Sequence, residues 1–420
     1  MSPTDEERDG QVRAQYEAYP YPARDPAEEA ERLIVGSPSH LLEIEHYVRG
    51  GRAAGDLRAL VAGGGTGDGA IMLAQQLAQR GRGHVTYVDI SAASLAIARE
   101  RAKVRGLGNI EFHQGSLLDL PRLFPGPYDY VDCCGVLHHL EDPAAGLAAL
   151  TAVLGDGGGL GLMLYGTLGR TGVYPLQSAL RRLAGDAGDG ERVALARQLL
   201  AALPESNWLR RNPLLNDHLR GDDAGLYDLL LHPRDRAYLV PEILALLRDA
   251  GLRLAGFVPD LQYDPAIYVE DAALAARAGA LPPEQRAALA EELSGAMKSH
   301  VFYAVRGKDG WAPAESRLAP SSVPVLKDME PAALAARLAR SGSIAATVGG
   351  RALRLPAPEG AAALVALIDG RLSLRQIHGR LRAAGERLSW EAFAERFRAL
   401  LALLLPLNLL LLRDGCRPAA

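Results

Sequence analysis

The chain of 420 residues has little cysteine, few aromatic residues and almost no excess of charge of one sign. Only 3 cysteines are present, and Cys133 and Cys134 are neighbours in an apolar run, which excludes a disulfide framework and indicates a reducing compartment. The 46 Lys and Arg residues against 50 Asp and Glu give a net charge of −4. This balance argues against nucleic-acid binding, which needs clustered positive charge.

Long hydrophobic runs are also missing. The longest, residues 399–412, is interrupted by Pro406 and Asn408 and is shorter than the roughly 20 apolar residues that a membrane-spanning helix needs. The beginning of the sequence is polar and charged, without the apolar core of a secretory signal. We therefore expect a cytoplasmic protein with no membrane partner.

The residues that are present suit a large folded core. Hydrophobic residues make up 48% of the chain, and its length predicts two or three domains. From about residue 56, short apolar runs alternate with helical periodicity, which predicts a doubly wound α/β sheet. The strands predicted in this way lie at 57–62, 85–88, 110–112, 128–134, 160–164, 254–258 and 301–305.

A smaller domain is predicted after a stretch that contains proline and serine. Its signals are a capping signature that begins at Ser373, a helix from Trp390 and a strand at 407–412, an order similar to a winged helix. The predicted organisation is a helical cap at 1–50, an α/β domain at 51–308 with helical insertions at 166–239 and 259–299, a linker at 309–325, and a winged-helix-like α+β domain at 326–420.

Three motifs follow predicted strands at one edge of the sheet. Glycines cluster after the first strand at 63–69, where they would let the backbone approach a ligand or simply form a tight turn. Asp89 ends the second strand, where it is placed to accept ribose hydroxyls or to serve the electrostatics of the following helix. The fourth strand leads into a loop that contains His138 and His139.

Taken together, these motifs resemble the class I S-adenosylmethionine-dependent methyltransferases over residues 57–165. Segments 61–67, 88–91, 114–116 and 135–140 carry the resemblance, and the Tyr-Pro-Tyr-Pro segment at 19–22 is similar to N-terminal lids of some bacterial members. The resemblance implies a seven-stranded Rossmann-like sheet. It also implies that S-adenosylmethionine is bound by Gly63, Gly65, Gly67, Asp89, Ile90, Ser116, Leu117 and Gly135.

Two positions depart from the family pattern. Ala62 stands where many members have an acid, and Ser116 stands where many have aspartate. Each departure removes a polar contact to the cofactor that the family pattern would otherwise imply.

Methyl transfer from a sulfonium requires alignment of the two reactants, and it requires a base only if the nucleophile starts protonated. His138 and His139 are the candidate bases, of which at most one is expected to act. The candidate substrate-pocket residues are Tyr16, Tyr19, Tyr21, Tyr165, Arg170 and Tyr174. No cluster has the spacing of a zinc or magnesium site, so no metal is predicted.

The favoured function is methyl transfer to a small-molecule acceptor. A protein side chain, such as lysine, is the second possibility, and a catalytically silent cofactor-binding regulator is the third. A dinucleotide-dependent oxidoreductase is a further alternative, because residues 65–70 fit the looser form of that glycine fingerprint. The sequence leaves the acceptor atom and the oligomeric state open.

Overall fold

The computed structural model describes residues 5–219, 223–307 and 311–415. These residues form two compact units. One comprises the described parts of 1–40, 55–252 and 295–301, and the other comprises the described parts of 41–54, 253–294 and 302–420. This division differs from the predicted domain boundaries, which remain a prediction.

A seven-stranded sheet organises the fold. Its strands are β1 (Arg58–Ala62), β2 (His84–Asp89), β3 (Ile110–Gln114), β4 (Tyr128–Cys134), β5 (Leu154–Tyr165), β6 (Leu252–Phe257) and β7 (Ser299–Arg306). The strand order is β3-β2-β1-β4-β5-β7-β6, and the neighbours from β3 to β5 pair in parallel. The chain reverses its direction of winding between β1 and β4, the place where such sheets bind ligands. The predicted doubly wound sheet is confirmed.

Helices connect these strands and continue through the rest of the chain. In chain order they are α1 (Asp5–Ala18), α2 (Leu41–Glu43), α3 (Asp68–Gln79), α4 (Ala92–Val104), α5 (Leu120–Leu123), α6 (Pro143–Ala152), α7 (Val173–Ala184), α8 (Asp189–Ala202), α9 (Asp223–Leu226), α10 (Val240–Asp249), α11 (Ala272–Gly279), α12 (Pro283–Ser294), α13 (Pro331–Ser341), α14 (Ala361–Ala366), α15 (Leu374–Ala383) and α16 (Trp390–Leu404). Among the described helices, none is long and apolar enough to cross a membrane.

Side-chain caps set the start of two helices as the sequence predicts. Ser91 precedes α4, and its hydroxyl accepts a hydrogen bond from the Ser94 N–H (3.0 Å). Ser373 and Gln376 form a reciprocal capping box at α15. Each cap satisfies backbone N–H groups that the helix itself cannot pair.

The C-terminal region contains four strands: β8 (Val323–Leu326), β9 (Ser343–Val348), β10 (Arg351–Pro356) and β11 (Leu410–Arg413). β8 pairs antiparallel with β11, and β9 pairs antiparallel with β10. The predicted linker therefore contains regular structure, namely a 3₁₀ turn at Ala314–Arg317 and the start of β8. Apolar side chains of this region are buried together in one cluster, which includes Leu364, Val365, Ile368, Leu374, Ile377, Phe393, Phe397, Leu400 and Leu404.

A buried carboxylate stabilises this second unit. Glu43 has no exposed side-chain surface, and it forms an ion pair with Lys327 (2.7 Å). The Tyr303 hydroxyl (2.6 Å) and the Asn408 amide (2.5 Å) also donate hydrogen bonds to it. A buried charge is tolerated when it has such partners.

Candidate functional site

An N-terminal strap, residues 16–39, lies across the carboxyl ends of the parallel strands in the first unit. Polar contacts attach it at four places. The Ser91 hydroxyl donates to the Tyr16 carbonyl (3.0 Å), the Thr66 hydroxyl donates to the Pro22 carbonyl (2.8 Å), Arg24 pairs with Asp68 (2.6 Å), and the Ser39 hydroxyl donates to Asp132 (2.5 Å). The strap and the strand ends enclose a cavity of about 920 Å³.

Most of the predicted site residues line this cavity. Those that do are Gly63, Gly65, Asp89, Ile90, Ser116, Leu117, Gly135, His139, Tyr16, Tyr21 and Tyr165. They come from the loops after β1, β2, β3 and β4, from the end of β5, and from the strap. The edge of the sheet therefore brings together residues that lie far apart in the sequence.

The glycine loop after β1 needs glycine for two physical reasons. Gly63 and Gly65 have positive φ angles of 75° and 53°, a region that other residues rarely adopt. A Cβ on Gly65 would also lie 2.7 Å from the Tyr21 carbonyl oxygen, and one on Gly63 would clash with Val136. The loop thus exposes its backbone to the cavity, while the strap packs directly against it.

Asp89 is buried at the end of β2 and faces the same cavity. The Gly65 N–H and the Ser91 N–H each donate to its carboxylate at 2.8 Å. Burial raises the pKa of Asp89 above its ordinary value. Asp89 therefore supports the start of α4 and also contributes to the cavity wall, and its binding of ribose hydroxyls stays a prediction.

Five predicted residues lie outside the cavity lining: Gly67, His138, Tyr19, Arg170 and Tyr174. Gly67 serves instead as the N-terminal cap residue of α3. Arg170 pairs with Asp235 (2.7 Å) and lies 3.7 Å above the Tyr165 ring, and its Nε donates to the Tyr174 hydroxyl. Tyr19 stacks on Tyr227, with 4.9 Å between the ring centroids. The side chains of Arg170, Tyr174 and Tyr19 thus contact other protein side chains and do not line the cavity.

The two candidate histidines occupy different environments. His138 is completely buried, its ring stacks on Tyr165 with 3.9 Å between centroids, and neither ring nitrogen has a hydrogen-bond partner among the described residues. Burial lowers the pKa of His138 well below its ordinary value. His139 instead lines the cavity. The geometry thus favours His139 as the residue that meets a substrate.

At one end of the cavity, five side chains form a polar cluster: Tyr16, His139, Tyr165, Asp228 and His232. The hydroxyls of Tyr16 (3.4 Å) and Tyr165 (3.0 Å) donate to the two oxygens of Asp228. Burial, followed by the charge of Asp228, raises the pKa of both tyrosines well above the ordinary value. Both hydroxyls therefore stay protonated and act as donors.

Hydrogen bonds assign the tautomers of the two histidines in this cluster. His139 Nδ1 lies 2.9 Å from the Arg234 carbonyl, so this nitrogen carries the proton and Nε2 has the lone pair. His232 Nδ1 accepts the Arg234 N–H at 3.1 Å, so its proton is on Nε2, which lies 3.3 Å from the Tyr16 hydroxyl. Burial lowers the pKa of His232 well below its ordinary value, which keeps that ring neutral.

Ligand atoms of His139, Asp228 and His232 also lie within 4.8 Å of one another, a separation that suits a metal ion. Both nitrogens of His232, however, already have hydrogen-bond partners, and the oxygens of Asp228 accept two tyrosine hydroxyls. The donor set is therefore arranged as a proton-sharing network, in which His139 Nε2 is the basic atom.

Residues 60–160 match the model of a protein family described as "Methyltransferase domain". The match covers β1 to β4 and most of β5, together with the loops that form the cavity. Residues 60–160 are therefore a methyltransferase domain of the class I S-adenosylmethionine-dependent type. The cofactor of this family is S-adenosylmethionine.

Two curated relatives resemble the methyltransferase over longer stretches. An uncharacterized protein of Synechococcus sp., syc1184_c, is 35% identical over 265 residues, which cover 60% of this chain and 61% of that protein. A ubiquinone biosynthesis O-methyltransferase of Sodalis glossinidius is 29% identical over 180 residues, 41% of this chain and 65% of the relative. The chain thus spans less than two thirds of the length of these relatives.

A solved structure agrees with the fold of the methyltransferase over most of its length. PKMT2 from Rickettsia typhi, in complex with AdoHcy, superposes with a TM-score of 0.59 at 12% identity, covering 90% of this chain and 76% of that chain. The superposition shows a shared fold, and at this low sequence identity it shows nothing more.

The cavity suits the cofactor. The backbone of Gly63 and Gly65 is exposed where a Cβ would not fit, and the Asp89 carboxylate faces the same space. Among the described residues, the aspartates that line the cavity are Asp68, Asp89, Asp119, Asp132 and Asp228. Asp68 is paired with arginines, and the others give the lining an acidic character that complements a cofactor with a positive sulfonium and an ammonium group.

The predicted site residues do not include four residues of the site, namely Ser39, Asp132, Asp228 and His232. Asp228 did leave a signal, because it is a single acid within an otherwise apolar run, and Asp132 shares the apolar run of β4 with only one other acid, Asp129. Such an acid is costly to bury and therefore indicates a specific role.

Proposed function

We propose that this methyltransferase transfers the methyl group of S-adenosylmethionine to a hydroxyl group of a small-molecule acceptor. The glycine loop and Asp89 would hold the cofactor, and the polar cluster would hold the acceptor. The observation that carries the proposal is the position of His139. Its ring lines the cavity beside Tyr16 and Tyr165, and its Nε2 bears the lone pair.

The cofactor supplies an activated methyl group on a positively charged sulfur. A hydroxyl acceptor must lose its proton to become a competent nucleophile, and His139 Nε2 is placed to take that proton. Asp228 lies close enough to His139 to stabilise the imidazolium that results. The Tyr16 and Tyr165 hydroxyls, which are donors to Asp228, keep this carboxylate oriented.

The relatives bear on whether the acceptor is a small molecule or a protein. The similar protein of Sodalis glossinidius is a ubiquinone biosynthesis O-methyltransferase, which favours a small molecule with a hydroxyl group. PKMT2 has the same fold at 12% identity, and this likeness does not select a protein acceptor. Burial of His139 and Asp228 further favours an acceptor that enters the cavity completely.

The test is methyl transfer from S-adenosylmethionine labelled in the methyl group, with the small-molecule and protein fractions of a cell extract supplied separately. We expect S-adenosylhomocysteine to form and the label to enter the small-molecule fraction. His139→Gln should abolish transfer, whereas His113→Gln, on β3 and outside the cavity, should not. Label in protein would indicate a side-chain acceptor, and cofactor binding without turnover would indicate a regulator. Binding of NAD in place of S-adenosylmethionine would contradict the proposal entirely.

A further inference from the structure

Asp132 is an acid that the reaction proposed above does not use. It lies near the carboxyl end of β4, only 3% of its surface is exposed, and it lines the cavity. In the parallel pairing of β1 with β4 it is opposite Val61, which lines the same cavity. Asp132 thus presents a carboxylate to the ligand space directly beside the glycine loop.

The hydrogen-bond partners of Asp132 are all neutral. The Ser39 hydroxyl donates to it at 2.5 Å, and the Tyr130 hydroxyl and the Cys134 N–H also donate to it. Within the described part of the chain, no arginine, lysine or histidine forms an ion pair with this carboxylate. Its charge is therefore balanced by dipoles alone.

Asp68, which follows the glycine loop at the start of α3, is satisfied differently. Asp68 pairs with Arg24 (2.6 Å) and with Arg101 (2.7 Å), so its charge is already neutralised by the protein. A buried carboxylate without a cation is costly, and it attracts a ligand that brings one. Burial raises the pKa of Asp132 to about 6, which is the expected direction for such a group.

We propose that Asp132 binds the α-ammonium group of the amino-acid part of the cofactor. Ala62, at the end of β1, lacks the acid that many family members have at that position. Asp132 supplies a carboxylate from the neighbouring strand, one position away in the register of β1 and β4. This inference rests on the proposed binding of the cofactor in the cavity.

The inference predicts discrimination between two ligands that share the adenosine thioether. S-adenosylhomocysteine carries the α-ammonium group, whereas 5′-methylthioadenosine lacks the entire amino-acid part. A hydrogen bond to a charged group contributes about 1.5–3 kcal/mol, which corresponds to a factor of about 10–150 in affinity. Asp132→Asn should weaken binding of the first ligand by this factor and change binding of the second by less than about threefold.

Calorimetric titration of the purified full chain measures both affinities without any turnover. Asp129→Asn is the matched control, since Asp129 is on the same strand but outside the cavity lining, and it should change neither affinity. Asp132→Glu keeps the charge and should retain part of the binding of S-adenosylhomocysteine. An equal loss for both ligands, or no loss for either, would refute the role of Asp132.

A second measurement uses only the natural sequence, so it does not depend on the folding of a variant. The analogue of S-adenosylhomocysteine that has hydrogen in place of the α-amino group should bind about 10–150-fold more weakly than the parent compound. Equal affinities would overturn the inference while leaving the proposed function intact. If the chain binds neither S-adenosylhomocysteine nor 5′-methylthioadenosine, the proposed function itself fails.

Discussion

The charge of Asp132 should make the stability of the first unit depend on pH. The pKa of Asp132 in the folded chain is about 6, above the ordinary value of 3.8, because the side chain is buried. A group with a raised pKa contributes stability that is complete below the unfolded value and is lost as the pH rises through the folded value. We therefore expect the loss between about pH 4 and pH 7.

The size of this effect follows from the two pKa values. One pH unit corresponds to about 1.4 kcal/mol, so a change from 3.8 to about 6 costs on the order of 3 kcal/mol at pH 8. For a unit of this size, 1 kcal/mol shifts the melting temperature by about 2–4 °C, which gives a shift of about 6–12 °C. Asp132→Asn removes the ionisation and with it this component of the pH dependence.

Thermal denaturation of the wild type and of Asp132→Asn between pH 4 and pH 8 measures the effect. The amide has one acceptor oxygen instead of two, so the variant should lose about 1–2 kcal/mol at every pH. The difference between the two melting temperatures should nevertheless shrink, or change sign, as the pH rises. Other titrating groups cancel in this comparison. Parallel melting curves over the whole range would refute the reasoning.

The remaining predictions concern Asp89, the two candidate histidines and the ion pair of Glu43 with Lys327. Asp89→Ala should weaken S-adenosylhomocysteine binding by about 1.5–3 kcal/mol in calorimetry, and an unchanged affinity would mean that Asp89 serves only α4. His139→Ala should lower kcat by about 10²–10⁴-fold at unchanged cofactor affinity. His138→Ala should mainly lower the melting temperature, because this ring is buried. Equal turnover in both variants would mean that catalysis depends only on the alignment of the cofactor with the acceptor. Glu43→Ala leaves the Lys327 ammonium with only Asp328, at 3.7 Å, and should destabilise the second unit by about 3–5 kcal/mol in denaturant titrations. Glu43→Leu with Lys327→Met should reverse only part of this cost, because Tyr303 and Asn408 still lose their acceptor.

The parallel strands were predictable because each is a short apolar run bounded by turn residues. β5 is the exception, since it begins at Leu154 and not at residue 160. Its first half contains Gly155, Gly157 and Gly158, which break the hydrophobic pattern, although the segment still extends beside β4. Pairing with a neighbouring strand overrode a weak local preference.

The C-terminal strands were harder to predict for a different reason. β8 lies partly in the predicted linker, and its partner β11 is more than 80 residues later in the chain. β10 alternates half-buried and exposed positions, and it contains two arginines, so its sequence does not stand out as a strand. Pairings between distant segments leave no local signal.

The candidate site also contains residues that local sequence signals predict and residues that depend on distant contacts. The glycine loop and Asp89 were predictable because their spacing relative to β1 and β2 is local. The positions of Asp132 and Asp228 in the cavity lining depend on contacts between segments that are distant in the sequence. These segments are the strap and the helical turn before His232. The cost of burying an acid in a largely apolar segment was the signal that pointed to them.

In the proposed reaction, the attachment of the strap would affect how quickly the product is released. Contacts of Pro22 with Thr66 and of Arg24 with Asp68 hold residues 16–39 against the glycine loop, so they must break before that wall of the cavity opens. Opening of such a wall often limits turnover more than the chemical step does. We therefore expect a long residence time for S-adenosylhomocysteine, seen as a rapid first turnover followed by a slower steady state. The rate at which the strap detaches, and not the basicity of a histidine, would then limit the turnover rate.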